Sequence, residues 1–178
     1  FTIAGNFTVK NFTPYPIPGV GITNVYLRNV YASGTDTCGT FYCYTGDIQN
    51  SSFNGNMRVI GDSSQVFSLN NAVLSGEDNL IQAGNFEILN SRFGKTVTGT
   101  TILSASHNIA ANVLVRDGNN KFLGNVQYET YAALPGSILL QQTYHGQDTC
   151  LGNMSFIMKG NSALNSNVIG NSYVAGNV

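Results

Sequence analysis

Phe86-Glu-Ile-Leu-Asn-Ser-Arg-Phe93 can be read in two ways, and the fold depends on the choice. Its apolar positions suit a strand with one buried face, the end of a run from Leu80 that Gly84-Asn85 interrupts. In one reading that break is a turn or bulge in a glycine-tolerant sheet. In the other, the asparagine stands in a ladder, as in a parallel β-helix, and Ile22-Thr-Asn-Val-Tyr-Leu-Arg-Asn-Val-Tyr31 is a second instance. A recurrent Gly-Asn pair flanked by apolar residues bears on the choice: Gly5-Asn6, Gly55-Asn56, Gly84-Asn85, Gly124-Asn125, Gly152-Asn153, Gly170-Asn171 and Gly176-Asn177. Successive pairs are 50, 29, 40, 28, 18 and 6 residues apart. Solenoid coils repeat at a nearly fixed period. The irregular spacing favours turns and bulges, and so an all-β sandwich of jelly-roll or immunoglobulin-like type, with the parallel β-helix as the alternative.

The remaining segments agree with an all-β chain. Val20–Ala32, Thr40–Thr45, Met57–Ile60, Gln65–Leu69, Thr96–Leu103, Ser137–Tyr144, Met154–Met158 and Asn167–Val178 are short, rich in β-branched and aromatic residues, and separated by glycine. Ala111–Asp117 and Asn120–Tyr128 flank Gly118-Asn119, and Asp117-Gly118 between such runs predicts a hairpin. Only Glu129–Leu134, ahead of Pro135, suggests a turn or two of helix.

Composition narrows the setting. Charged residues make up 10% of the 178, against about 25% in typical soluble domains. Net charge is −1, which offers nothing for nucleic acid to bind. Asn, Ser, Thr and Gly stand in for charge, with 23 Asn. Such a surface is kept soluble by glycans or by assembly. The chain opens on Phe1, which reads as a processed mature form. No eighteen-residue apolar run is present to span a membrane. Glycan acceptors occur at Asn6, Asn11, Asn50 and Asn153. Three cysteines, Cys38, Cys43 and Cys150, permit one disulfide, and all three pairings are open. The entropy of closing a long loop favours a bridge from Cys150 to Cys38 or Cys43.

Within the first thirteen residues Phe1, Ile3, Gly5, Phe7 and Val9 point one way in an extended chain and Thr2, Ala4, Asn6, Thr8 and Lys10 the other. Pro14-Tyr-Pro-Ile-Pro-Gly19 follows as a stiff extended leash. A sticky strand on a leash predicts pairing beyond its own domain, by donation into a neighbouring copy. Burying Phe1, Ile3, Phe7 and Val9 contributes on the order of 6–12 kcal/mol. Ordering a dozen residues costs about as much or more, so the joint needs hydrogen-bonded edges as well. The expected organisation is a donor strand at 1–13, a linker at 14–19 and a body at 20–178.

No catalytic signature emerges. Gly-x-Ser-x-Gly, His-Glu-x-x-His and phosphate-binding loops are absent. His145 and Asp148 read as a solvated loop, and His107 as unremarkable. Asp117-Gly-Asn-Asn120 lacks the acidic ligands of a calcium loop. Neither a cofactor nor a metal is implied. Tyr26, Tyr31, Phe41, Tyr42 and Tyr44 could line a sugar-binding face, which keeps a secreted lectin as an alternative, beside a viral or phage structural protein.

In layout the chain resembles the pilins of archaeal threads: an N-terminal strand with a glycine among its apolar residues, then an Asn/Ser/Thr-rich all-β body carrying glycan acceptors. That resemblance implies an extracellular adhesive filament of identical subunits strung head to tail by strand donation. Phe1, Ile3, Gly5, Phe7 and Val9 would be the donor face, and N-linked glycans would sit on Asn6, Asn11, Asn50 and Asn153.

Overall fold

A computed structural model describes residues 2–3, 7–10, 24–33, 37–43, 45–61, 66–107, 113–132, 138–140, 148–160 and 173–178. They form strands numbered β1 to β21 in chain order, with no helix among them. Eight strands line a first face: β1 (Thr2–Ile3), β4 (Tyr31–Ala32), β7 (Ser52–Phe53), β10 (Val73–Leu74), β13 (Arg92–Phe93), β16 (Lys121–Phe122), β19 (Thr149–Cys150) and β21 (Tyr173–Val174). Seven line a second: β2 (Phe7–Lys10), β5 (Thr37–Cys43), β8 (Asn56–Gly61), β11 (Asp78–Ala83), β14 (Thr100–His107), β17 (Asn125–Ala132) and β20 (Met154–Gly160). Six line a third: β3 (Asn24–Arg28), β6 (Thr45–Gln49), β9 (Val66–Asn70), β12 (Asn85–Leu89), β15 (Val113–Gly118) and β18 (Ile138–Leu140).

Every pairing is parallel, and each strand pairs with the strand three places along the chain (β19 with β21 excepted). The chain therefore winds as a three-faced parallel β-solenoid. Rungs follow one another at the strand spacing of about 4.8 Å. The expected sandwich is corrected to its alternative, the parallel β-helix. Alternation along a strand reports which side is buried. It does not report whether the hydrogen-bonded partner is the next strand or the one a full coil later.

Inward positions stack on their equivalents one rung away, so the core is a set of columns. On the first face the column is Ala32, Phe53, Leu74, Phe93, Phe122 and Cys150, all buried. Phe93 and Phe122 stack at 4.9 Å between ring centroids and 14° between planes. On the second face Val59, Ile81, Leu103 and Tyr128 align in register and are buried. Tyr128 stacks on Phe156 at 5.3 Å. Ile48, Leu69 and Ile88 do the same on the third face.

Other sequence expectations change with the fold. Asp117-Gly118 does not open a hairpin, because Gly118 ends β15 on the third face and β16 lies on the first. Asp117 and Gly118 stay in the strand, and the chain turns one residue later, where Asn119 adopts φ 58° at a solenoid corner. Glu129–Ala132 is strand, the end of β17, where a helical turn is expected. The opening segment is two strands on two faces. β1 pairs with β4, and β2 with β5, within the same chain. Of the expected donor face, Ile3, Phe7 and Val9 lie in these intrachain strands, while Phe1, Gly5 and the 14–19 linker lie outside the described residues.

Candidate interaction surfaces

The corner from the third face to the first is built on asparagine. Asn29, Asn50, Asn71, Asn90 and Asn119 all occupy the left-handed region, at φ 55°, 51°, 52°, 51° and 58°. Asparagine tolerates that conformation better than other side-chain-bearing residues. Each of the first four donates its backbone N–H to the next coil, for instance Asn50 N to Asn70 O at 3.1 Å and Asn90 N to Gly118 O at 3.1 Å. The amides also join across rungs: Asn71 Nδ2 to Asn50 Oδ1 at 2.8 Å, Asn90 Nδ2 to Asn70 Oδ1 at 3.1 Å, and Asn119 Nδ2 to Asn90 Oδ1 at 2.8 Å.

One residue further on, a second row is buried: Val30, Ser51, Ala72, Ser91, Asn120 and Asp148. Its polar members cap the backbone of the neighbouring coil. Ser51 Oγ accepts from Val30 N at 3.1 Å and Ser91 Oγ from Ala72 N at 3.2 Å. Asn120 Oδ1 accepts from Ser91 N at 2.9 Å, and Asp148 Oδ1 from Asn120 N at 2.7 Å. Buried amides need such acceptors. Asp148, expected in a solvated loop, is fully buried and belongs to this row.

The corner from the first face to the second explains the Gly-Asn pairs. Asn56 Oδ1 accepts from Asp78 N at 2.9 Å, Asn125 Oδ1 from Asn153 N at 2.9 Å, and Asn153 Oδ1 from Asn177 N at 2.9 Å. Gly99, Gly124, Gly152 and Gly176 stack beneath, each so near the previous coil's backbone that a Cβ would collide with it. Four of the seven pairs, at Gly55, Gly124, Gly152 and Gly176, thus fall on one corner, whereas Gly84-Asn85 joins β11 to β12. Gly5-Asn6 and Gly170-Asn171 lie outside the described residues.

Outward, the first face carries Tyr31, Ser52, Val73, Arg92, Lys121, Thr149 and Tyr173 in one column. Tyr31 and Tyr173 are 55% and 60% exposed. Tyr26, across the Asn29 corner, is 64% exposed, so two of the candidate sugar-stacking aromatics are on the surface; the side chains of Phe41 and Tyr42, and all of Tyr44, lie outside the description. Arg28 and Asp47 pair at 2.7 Å on the third face. Inward burial fades along β20: Met154 is buried, Phe156 half-buried and Met158 48% exposed, where its neighbour Thr130 is buried.

Chemistry is sparse. Among the described residues no group of three His, Cys, Asp or Glu is placed to hold a metal ion. Cys150 is a free, buried thiol, pushed above its ordinary pKa chiefly by burial, with the Asp148 carboxylate adding to the shift. Its expected disulfide is not formed. Cys38 and Cys43 are on β5 in the second coil, five rungs or about 24 Å from β19, far beyond the reach of about 7 Å between bridged Cα atoms. Of the glycan acceptors, Asn50 and Asn153 are exposed on the two corners, with Oδ1 engaged in the ladders. Asn6 and Asn11 lie outside the described residues.

Comparison with family models, curated proteins and solved structures finds no match.

Proposed function

We propose that this chain is a structural subunit of an extracellular filament whose copies meet end to end, the edge strands of one solenoid against those of the next. The observation that carries the reading is the far end of β20, the last strand of the second face, where Met158 occupies an inward position yet is 48% exposed, although Met154 at the start of the strand is buried. At the other end, β1 and β2 are the outermost strands of their sheets. A parallel edge is a template for another parallel strand. Contact between two different ends is heterologous and so propagates. β1 and β2 act in this reading as part of an edge, and a separately inserted donor strand is not required. The low charge, the exposed acceptors Asn50 and Asn153, and the likeness in layout to archaeal thread pilins support an extracellular, glycosylated setting. No catalytic role is proposed.

Light scattering and negative-stain microscopy of the wild-type chain and of Met158→Asp test the reading. Linear assemblies are expected for the wild type, and monomers with an unchanged β-type circular dichroism spectrum for the variant. A wild type that stays monomeric at all concentrations, or a variant that assembles as well as the wild type, overturns it.

A further inference from the structure

Arg92 and Lys121 are outward residues on adjacent rungs of the first face, paired directly in register. Their Cα atoms are separated by the rung spacing of about 4.8 Å. Both are exposed, and neither makes an ion pair or side-chain hydrogen bond among the described residues. Like charges opposite one another destabilise a sheet, and no carboxylate stands in their column, which continues to Val73 and Tyr31 one way and to Thr149 and Tyr173 the other. Lys95 adds a third cation on the six-residue connection between β13 and β14, longer than the two residues between β7 and β8 or between β16 and β17. Three of the chain's eight Lys and Arg residues thus lie on β13, on the connection after it and on β16, with one carboxylate, Glu77, reaching the connection through Thr96 Oγ1 at 2.8 Å.

We infer that this face binds an anionic polysaccharide, carboxylated or sulfated, lying along the solenoid axis. The Arg92 guanidinium presents a fork matched to a carboxylate or sulfate, and Lys121 a point charge one rung on. Beside them Asn90 and Asn119 are exposed, and each is seen to donate one amide N–H within the ladder. An amide has two, so one remains for sugar hydroxyls. Val97, 60% exposed on the β13–β14 connection, gives the face an apolar border. Three cations suit a polymer recognised partly through hydroxyls better than a nucleic acid, whose binders commonly make about 6–10 phosphate contacts. The site uses outward side chains of the first face, whereas the proposed joints use edge strands and Met158 on the second, so the two ideas are tested separately.

Fluorescence anisotropy with labelled polygalacturonate, dextran sulfate, neutral dextran and oligothymidylate tests the inference. The acidic polysaccharides should bind and neutral dextran should not, with affinity falling as salt screens the charges. The double variant Arg92→Ser/Lys121→Ser should weaken binding by about tenfold or more, as for losing two charge-assisted contacts. Arg58→Ser, on the second face, should leave it unchanged, and circular dichroism should show all variants folded. Absence of binding to both acidic polymers, equal binding of neutral dextran, an unaffected double variant, or tighter binding of oligothymidylate would each overturn it.

Discussion

Replacing Gly124 by Ala tests the stacked-coil geometry with a single methyl group. A Cβ at this position would run into the carbonyl oxygen of Gly99 and stand 3.0 Å from both the Gly99 carbonyl carbon and Thr96 O. Carbon atoms in contact prefer about 3.5–4.0 Å, so the two coils must separate there. The Gly99 oxygen is also the acceptor for Asn125 N at 2.8 Å, and Gly124 O accepts from Gly152 N at 3.2 Å. Overpacking of this kind costs about 1–3 kcal/mol, and weakening two rung hydrogen bonds adds about 1 kcal/mol each. A loss of roughly 2–5 kcal/mol is expected in urea unfolding, or about 5–15 °C in Tm for a chain of this size. The sign discriminates. In a relaxed surface turn with ordinary φ, Gly→Ala stabilises by about 0.4–1 kcal/mol by restricting the unfolded chain. A Gly124→Ala chain as stable as the wild type, or more so, would refute the corner stacking.

Three further outcomes follow from the same geometry. Asn71→Ala places an ordinary side chain at φ 52° and removes the amide bond to Asn50; a loss of about 1–3 kcal/mol is expected, with Asn71→Gly recovering the conformational part, both read from urea midpoints. Asp148→Ala leaves the buried Asn120 N–H without its acceptor, for about 1–3 kcal/mol, whereas Asp148→Asn keeps an acceptor and should lose less; equal losses would show that the contact is not what matters. Because burial raises the Cys150 thiol above its unfolded value, its contribution is complete below about pH 8.5 and is lost as pH rises through the folded value. Stability measured from pH 8 upward should therefore fall more steeply in the wild type than in Cys150→Val.

Strand content was legible because inward and outward positions alternate whatever the partner, as in Val59, Ile81 and Leu103. The winding was not, for two physical reasons. The repeating unit is short: Ile48-Gln-Asn-Ser-Ser-Phe53, Leu69-Asn-Asn-Ala-Val-Leu74 and Ile88-Leu-Asn-Ser-Arg-Phe93 share an apolar residue, an asparagine two places on, a small residue, and an apolar residue three after the asparagine. Everything between these hexapeptides varies, since a coil tolerates insertions wherever a corner faces solvent. Asn71 to Asn90 is 19 residues and Asn90 to Asn119 is 29, so a test for fixed period fails on a true repeat. The Gly-Asn pairs fail that test in the same way, although four of them mark one corner. The burial of Asp148 is not legible locally because its partner, Asn120, is 28 residues earlier in the chain and on the adjacent coil. The Arg92–Lys121 pair was invisible for the same reason: 29 residues separate two side chains that share a register.

Fibre diffraction from, or cryo-electron microscopy of, the assembled wild-type chain tests the central claim most directly. In a filament of solenoids joined at their ends, strands lie across the long axis, and the account predicts a meridional spacing near 4.8 Å that continues through the joints. Filaments whose strands run along the axis, with one subunit's N-terminal strand inserted in the next, would contradict it, as would wild-type protein that never leaves the monomeric state.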